Sequence, residues 1–313
     1  MGTPEFAVQS LNAIVKSEHQ VVGVVTSADK PAGRGKKLRG SAVKEYAFAN
    51  NIPLLQPEKL KDEEFLRLLK LLDADIFVVV AFRMLPEVVW NMPPLGTFNL
   101  HASLLPQYRG AAPINYAIIN GEKESGVTSF FLDKKIDTGR IILQRKTTIG
   151  EEDSAGDLHD NLMVLGGELV VETLNLISSG DYQSKAQTEY YNTTDALKSA
   201  PKIFKEDCRI KFNQEVEDSY NHIRGLSPYP GAFTEITSPK GERFILKIYK
   251  TILHLDNNTK PSSIKTDGKT YLKVACKNGW LEIIELQLQG KKRMGTQDLL
   301  RGFKIDNNWS IID

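Results

Sequence analysis

The pattern of hydrophobic and polar positions divides the chain into two parts. In residues 1–180, short apolar runs typical of buried strands alternate with longer amphipathic stretches typical of helices. The clearest strand is DIFVVVAF at 75–82, and QVVGVVT at 20–26 and GTFNLHAS at 96–103 repeat the pattern. Continuous apolar strands alternating with helices indicate a parallel sheet covered on both faces. We therefore predict an α/β fold with a Rossmann-like, doubly wound sheet.

Capping residues mark where several helices of this part begin. Thr3 suits the N-cap of a first helix that has Pro4 in its first turn, and Ser41 suits the N-cap of SAVKEYAFAN. Ser154 and Asp157 have the spacing of a capping box, which predicts a long helix from about Ser154 to the end of the first part.

The pattern changes at about residue 205. One helical stretch is followed by the strand candidates FTEITS, RFILKIYKTILHL, TYLKVACKN and WLEIIELQLQ, separated by polar turns. Several short strands with polar turns indicate a small β-barrel, for which an OB-like fold is the leading candidate. The predicted organisation is thus a domain at 1–180, a polar linker at 181–204 and an OB-like domain at 205–313.

Charge and composition suggest one kind of binding partner and argue against several classes of protein. The net charge is +1, but residues 201–313 hold 19 Lys+Arg against 14 Asp+Glu, an excess that suggests a polyanionic partner for that part. Two cysteines without CxxC spacing and five scattered histidines argue against a zinc site, a disulfide framework and a metal enzyme. No signal-peptide pattern and no apolar run of roughly 20 residues occur, so we expect a cytoplasmic protein without a membrane partner. The sequence indicates no obligate protein partner.

Two strong hydrogen-bonding side chains, Asn99 and His101, stand at the end of a predicted strand. Ligands of open α/β sheets bind beyond the carboxyl ends of the strands, and a spacing of two places both side chains on one face. An amide and a protonated imidazole can together hold a developing oxyanion. The alternative is a strand end with a structural histidine, and the pattern alone leaves both open.

A carboxylate that could act with this pair follows the next strand, in FFLDKKIDTGR. Asp137 lies in a glycine-bearing loop from which it could reach the neighbouring strand end and orient an imidazole. Asp133 competes for the same role, and the spacing favours neither. An ordinary Asp-Thr-Gly turn is the third interpretation.

The stretch DKPAGRGKKLRG at 29–40 is a glycine-bearing loop with several basic residues between a strand and a helix. Such a loop suits contacts with nucleic-acid phosphates, although a solvated surface loop explains it equally well. It contains neither the P-loop motif nor the GxGxxG fingerprint. Its basic residues, with the one that follows, are Lys30, Arg34, Lys36, Lys37, Arg39 and Lys44.

Six motifs, in order along nearly the whole chain, resemble the methionyl-tRNA formyltransferase family. They are GTPEFA (2–7), DKPAGRGKK (29–37), NLHASLLPQYRGAAPI (99–114), IDTG (136–139), APKIFKEDCRI (200–210) and GKKRMGTQDLLRG (290–302). The resemblance implies a formyltransferase catalytic domain followed by an OB-like tRNA-binding domain. It also implies 10-formyltetrahydrofolate as co-substrate, methionyl-initiator tRNA as partner and a role in translation initiation.

The resemblance assigns roles to residues by their positions in these motifs. It implies that Asn99, His101 and Asp137 are catalytic, which selects Asp137 over Asp133. It places the folate beside Ser103, Leu104, Leu105 and Pro106 and beside the pterin wall Phe82, Arg83, Met84 and Leu85, with Arg83 where many relatives carry glycine. It implies tRNA contacts for the loop residues Arg34, Lys36 and Lys37, and no metal.

The family also carries a strand before GTPEFA, so we expect a first strand upstream of Met1 that this sequence does not include. Three functions remain open at this point. The leading one is formyl transfer to methionyl-initiator tRNA. The others are another 10-formyltetrahydrofolate-dependent formyltransferase or hydrolase of the same family, and a truncated tRNA-binding protein without catalysis.

Overall fold

The computed structural model describes residues 1–32, 37–180, 182–191 and 196–312. Contacts between Cα atoms divide the chain into two compact units. The N-terminal unit comprises Met1–Gly110, Glu124–Thr147 and His159–Ser199, and the C-terminal unit comprises Ala111–Lys123, Thr148–Leu158 and Ala200–Asp313. These units are not continuous in sequence, because residues 111–123 and 148–158 group with the C-terminal unit. The domain boundaries 1–180, 181–204 and 205–313 stay a prediction.

The first part of the chain alternates strands and helices, as its hydrophobic pattern predicts. In chain order its elements are α1 (Glu5–Val15), β1 (Val24–Val25), β2 (Lys30–Ala32), β3 (Lys37–Arg39), α2 (Ala42–Ala49), β4 (Leu54–Leu55), α3 (Glu63–Leu71), β5 (Phe77–Val80), α4 (Glu87–Trp90), β6 (Thr97–His101), β7 (Arg109–Gly110), α5 (Pro113–Ile119), β8 (Glu124–Phe131), β9 (Ile141–Thr148) and α6 (Ala155–Ser179).

The sheet of the N-terminal unit confirms the predicted α/β fold. Strand β5 pairs in parallel with β6, and β1 pairs in parallel with β4. Strand β8 instead runs antiparallel to β6, with His101 opposite Thr128. A buried strand shows a continuous apolar run in either direction, so the sequence pattern does not distinguish the two orientations.

Two of the three predicted helix starts are confirmed. The Ser41 side chain accepts a hydrogen bond from the Lys44 N–H at 3.0 Å and caps α2. The Asp157 carboxylate accepts one from the Ser154 N–H at 2.8 Å, which completes the capping box of α6. The prediction for Thr3 is wrong, because α1 begins one residue later, with Pro4 at its N-cap and no side-chain capping bond.

The first two residues lie in the sheet between β1 and β5. The amino group of Met1 donates a hydrogen bond to the Val78 carbonyl at 2.6 Å, and the Gly2 N–H donates one to the Val25 carbonyl at 3.1 Å. Burial lowers the pKa of this amino group to about 5, because the charged form loses its hydration. A cavity of about 290 Å³ lies beside these residues and has mainly apolar walls that include Val22, Val24, Ile76, Leu72 and Leu174. The expected strand upstream of Met1 stays a prediction.

Helix α6 is the one helix in the described part of the chain that is long and apolar enough to cross a membrane by length and composition alone. Its side chains Leu162, Leu169, Val170, Leu174 and Ile177 are buried within the protein. Inside the N-terminal unit, the Thr173 hydroxyl donates a hydrogen bond to the Ser129 hydroxyl of β8 at 2.8 Å. This burial is the pattern of a core helix.

The remaining elements build most of the C-terminal unit. In chain order they are β10 (Ser199–Ala200), α7 (Val216–Gly225), β11 (Ala232–Thr237), β12 (Arg243–Leu255), β13 (Ile264–Thr266), β14 (Leu272–Ala275), β15 (Gly279–Leu288), β16 (Met294–Gly295), α8 (Thr296–Gly302) and β17 (Ser310–Ile312).

The strands of the C-terminal unit form a nearly closed antiparallel barrel. Their order is β13-β14-β15-β12-β11-β17, and an antiparallel bridge between Ser263 and Ser310 joins the two ends. The predicted β-barrel is confirmed. The sequence pattern missed β13, α8 and β17, because runs of three strand residues or seven helical residues are too short to show a period.

His222 on α7 is half-buried, and its Nε2 atom, which water does not reach, has no hydrogen-bond partner within the described residues. Burial lowers the pKa of this histidine below its usual value, so the folded protein holds the neutral ring more strongly than the unfolded chain does. The unfolded chain therefore binds more protons as the pH falls through about 6.5, and folding becomes less favourable there.

We expect His222→Phe to weaken the loss of stability on acidification. The difference from the wild-type protein should approach about 1.4 kcal/mol of unfolding free energy per pH unit between about pH 6.5 and the lower folded-state pKa. Urea unfolding followed by tryptophan fluorescence at several pH values measures it. Identical pH dependence in both proteins would contradict the assignment.

Candidate active site

Strand β6 brings Asn99 and His101 to its carboxyl end. The residues between and before them, Leu100 and Phe98, are buried in the core, while Asn99 is half-buried. The alternation of a strand therefore places Asn99 and His101 together on the other face, as their spacing predicts. In the described part of the chain, no group forms a hydrogen bond with the Asn99 side-chain amide.

The imidazole of His101 is fixed in orientation. Its Nε2 atom lies 2.8 Å from the Tyr108 carbonyl oxygen, which can only accept, so Nε2 carries the hydrogen of this bond. Phe130 packs against the ring edge to face, with the ring centroids 6.5 Å apart. The other nitrogen, Nδ1, lies 3.9 Å from Oδ2 of Asp137. His101 is only 6% exposed, so this pair of groups is shielded from water.

The structure places Asp137, and not Asp133, beside His101. The Asp137 carboxylate accepts a hydrogen bond from the Gly110 N–H at 3.0 Å, and its backbone has a φ of 54°. Asp133 instead accepts bonds from the Thr138 hydroxyl at 2.8 Å and the Lys135 N–H at 2.9 Å, and so stabilises the turn itself. An amide, an imidazole and a carboxylate thus meet at one strand end, an arrangement suited to stabilising an oxyanion and moving a proton.

The segment Ser103–Pro106 is held mainly by bonds within the protein. Ser103, Leu105 and Pro106 are buried and Leu104 is half-buried. The Thr128 hydroxyl donates to the Ser103 carbonyl at 2.6 Å and accepts from the Leu105 N–H at 3.1 Å. The Leu105 carbonyl also accepts a hydrogen bond, from the Gln144 amide at 2.7 Å. The folate contacts of this segment stay a prediction.

The solvent exposure of the segment Phe82–Leu85 varies from one residue to the next. Leu85 is buried in the core and Met84 is 72% exposed. The guanidinium of Arg83 stacks on the Phe82 ring, 5.7 Å from its centroid, and donates hydrogen bonds to the Pro57 carbonyl and, at 2.8 Å, to the Glu58 carbonyl. Arg83 therefore fastens this segment to the loop that follows β4. Its predicted place in the pterin wall is untested.

Most of the chain matches two models of known protein families. Residues 1–174 match the family model described as formyl transferase, and residues 202–304 match the one described as formyl transferase, C-terminal domain. The chain belongs to the formyl transferase family. The resemblance inferred from the motifs, and the fold that it implied, are confirmed.

Curated relatives of this formyltransferase align along almost its whole length. The methionyl-tRNA formyltransferase of Bacteroides thetaiotaomicron is 53% identical over 312 residues, which cover 99% of this chain and 97% of that protein. The enzyme of the same name from Flavobacterium johnsoniae is 52% identical over 311 residues, with the same coverage.

Solved structures share the fold at lower identity. WlaRD, a sugar 3N-formyl transferase solved in the presence of dTDP and 5-N-formyl-THF, is 24% identical with a TM-score of 0.63, covering 93% of this chain and 97% of that one. An N-formyltransferase from Helicobacter canadensis, in complex with folinic acid and dTDP-3-aminofucose, is 23% identical with a TM-score of 0.62, covering 94% and 97%. At this identity the likeness concerns the fold alone.

The basic loop of this formyltransferase is only partly described. Arg34 and Lys36 lie outside the described residues, whereas Lys37 begins β3. Strands β2 and β3 pair antiparallel, so the ends of the predicted loop form a short β-ribbon. At its base, Lys44 pairs with Asp29 at 2.5 Å and lowers the pKa of that carboxyl.

Sequence reasoning missed two residues that this formyltransferase places behind the catalytic candidates. Arg109 and Gln187 are hydrogen-bonded to each other, and Gln187 also binds the turn that carries Asp137. Nothing in the sequence marked Gln187, since it stands alone in a polar stretch assigned to the linker. Among the described residues, no three His, Cys, Asp or Glu side chains gather as metal ligands, and the expected absence of a metal stays a prediction.

Proposed function

We propose that this protein transfers the formyl group of 10-formyltetrahydrofolate to the α-amine of methionyl-initiator tRNA, in the cytoplasm, for translation initiation. The observation that carries the proposal is the convergence of Asn99, His101 and Asp137 at one strand end. It occurs in a chain 53% identical, over nearly its whole length, to a protein named methionyl-tRNA formyltransferase.

The proposed reaction is a direct acyl transfer. The neutral amine of the methionyl ester attacks the formyl carbon, and the electron pair of the C=O bond moves onto oxygen. The C–N bond to tetrahydrofolate then breaks, and the folate nitrogen takes up a proton while the former amine loses one. No step needs a covalent bond to the protein.

The three side chains divide this work between them. The Asn99 amide and the His101 imidazolium stabilise the oxyanion, and Asp137 holds the imidazole and takes part in removing the proton. The Nε2–H of His101 is already bonded to the Tyr108 carbonyl, so Nδ1 is the nitrogen that faces the reacting groups and Asp137.

A formyl-transfer assay with competing acceptors tests the proposed function. The purified protein receives 10-formyltetrahydrofolate together with methionyl-initiator tRNA, a small methionine amide, a nucleotide-linked amino sugar, or water alone. We expect formylation of the charged tRNA to be fastest by orders of magnitude. Faster use of a small amine or of water would favour another family activity, and tRNA binding without transfer would favour a non-catalytic protein.

The basic loop should control the use of tRNA. If Arg34 contacts the acceptor end, Arg34→Ala should raise the KM for methionyl-initiator tRNA about 10-fold. The slope of log binding constant against log salt concentration should become shallower by about one. The KM for the folate should stay within a factor of two. Steady-state kinetics at several salt concentrations measure both.

Arg67→Ala is the matched control for this prediction. Arg67 is exposed on α3 and, within the described ranges, pairs only with Glu64, so its loss should leave tRNA kinetics unchanged. An Arg34→Ala protein with the wild-type KM and salt slope would exclude the loop from tRNA recognition.

A further inference from the structure

The side chain of Gln187 is buried, and both ends of its amide are hydrogen-bonded. Only 4% of the residue is exposed. Its Nε2 atom donates to the carbonyls of Asp137 and Gly139, both at 2.9 Å. Its Oε1 atom accepts from Nε of Arg109 at 2.9 Å and from Nη2 at 2.5 Å. A buried amide whose hydrogen-bonding groups are all satisfied, with both donated bonds directed at one turn, points to a structural role for this residue.

The two carbonyls that Gln187 binds flank the turn of the catalytic candidate. Asp137 itself has a left-handed backbone, with a φ of 54°, which a non-glycine residue keeps only where its surroundings hold it. Two residues on, a Cβ added to Gly139 would lie 1.7 Å from the Phe131 carbonyl oxygen, so the turn lies directly against β8. The turn is therefore fixed on one side by β8 and on the other by Gln187.

The segment that carries Gln187 is itself tied to the end of the same loop. Ile141 and Lys185 exchange two backbone hydrogen bonds, at 2.8 Å and 2.9 Å. The Glu189 carboxylate accepts a bond from the Ala186 N–H at 2.7 Å and closes the short helical turn Gln187–Glu189. The segment that carries Gln187 is thus held in place by hydrogen bonds within the N-terminal unit.

We infer that Gln187, oriented by Arg109, is a positioning residue for the Asp137 carboxylate. It touches neither substrate nor reacting atoms and acts by holding the main chain at 137 and 139, so that Oδ2 stays within reach of His101. This inference rests on the proposed function for its effect on turnover. A misplacement of about 1 Å in a catalytic group costs up to about 100-fold in rate, so losing these two bonds should be visible in kcat.

The sharpest test is Gln187→Glu. This change keeps the shape of the side chain and an acceptor for Arg109, but it replaces the donor to two carbonyls by an oxygen that cannot donate. We expect kcat to fall about 10- to 100-fold, with the KM values for folate and tRNA within about 3-fold of the wild-type values. Gln9→Glu, the same chemical change on α1, should leave kcat unchanged. If Gln187→Glu does not fold, Gln187→Met is measured in the same assays.

A double-variant comparison separates positioning from a general structural role. In an Asp137→Asn background, Gln187→Glu should reduce kcat by less than about 3-fold, because its effect passes through a carboxylate that is already gone. The inference would be overturned by an unchanged kcat in Gln187→Glu or by a change in KM alone. It would also be overturned if the loss of kcat in the double variant equalled the product of the losses in the two single variants.

Hydrogen exchange tests the same inference without using activity. Amide exchange of the peptide spanning 133–140, followed by mass spectrometry, should be faster in Gln187→Glu and unchanged in Gln9→Glu. Equal exchange in all three proteins would overturn the positioning role. If the wild-type protein formylates no methionyl-tRNA but the exchange result holds, the proposed function fails and the inference about the turn stands.

Discussion

Asn99→Ala should lower kcat for methionyl-tRNA formylation about 100- to 1,000-fold, the loss seen when one oxyanion donor is removed. The melting temperature should change little. Asn99 is half-buried, and its amide makes no hydrogen bond within the described residues, so alanine leaves no protein group without a partner. A large kinetic effect with a small effect on stability is expected of a side chain that binds mainly the transition state.

Steady-state kinetics and a thermal melt measure the two halves of this prediction. Asn175→Ala is the matched control, because Asn175 is exposed and, among the described residues, its side chain bonds only His19, at 2.8 Å. It should leave kcat unchanged. An Asn99→Ala protein whose kcat is within 3-fold of the wild-type value would remove Asn99 from the mechanism, and a rise in the KM for folate alone would make it a binding residue.

His101→Ala should also lower kcat by at least about 100-fold, but with a loss of stability. The ring is buried, and its Nε2–H satisfies the Tyr108 carbonyl. Removing it leaves a buried acceptor without its donor, at about 1–3 kcal/mol of unfolding free energy. Kinetics together with chemical unfolding therefore distinguish His101 from Asn99, because both variants lose turnover and only one loses stability.

His101→Gln refines this second prediction. Glutamine can donate to the Tyr108 carbonyl but cannot carry a positive charge, so stability should recover in part while kcat stays low. His19→Ala, at a half-buried histidine bonded to Asn175, provides the control for the kinetics. Full recovery of kcat in His101→Gln would show that the ring acts only as a structural donor.

The candidate pair was predictable from the sequence because it depends on local rules. A two-residue spacing in a strand fixes the shared face of Asn99 and His101, and the carboxyl end of a strand in an α/β sheet fixes where they point. The helix starts at Ser41 and Ser154 were predictable for the same reason, since capping bonds join residues three apart.

The rest of the site depends on contacts between distant residues, which no local pattern encodes. Asp137 reaches His101 from the loop after β8, a strand whose antiparallel direction the apolar run could not reveal. The choice between Asp137 and Asp133 needed the family resemblance, because both lie in the same loop. Gln187 lies 50 residues from the carbonyl of Asp137 that it binds, in a stretch whose polarity resembled that of a linker.

The bonds from Lys185 to Ile141 and from Gln187 to the Asp137 turn also bear on the order in which the protein folds during synthesis. A chain emerging from the ribosome completes the strands that carry Asn99 and His101 well before residue 187 is synthesised. Until then, the turn that holds Asp137 lacks the two hydrogen bonds from the Gln187 amide. The final geometry of this turn is therefore set late in translation, and a fragment ending at residue 180 would lack the bonds from Gln187.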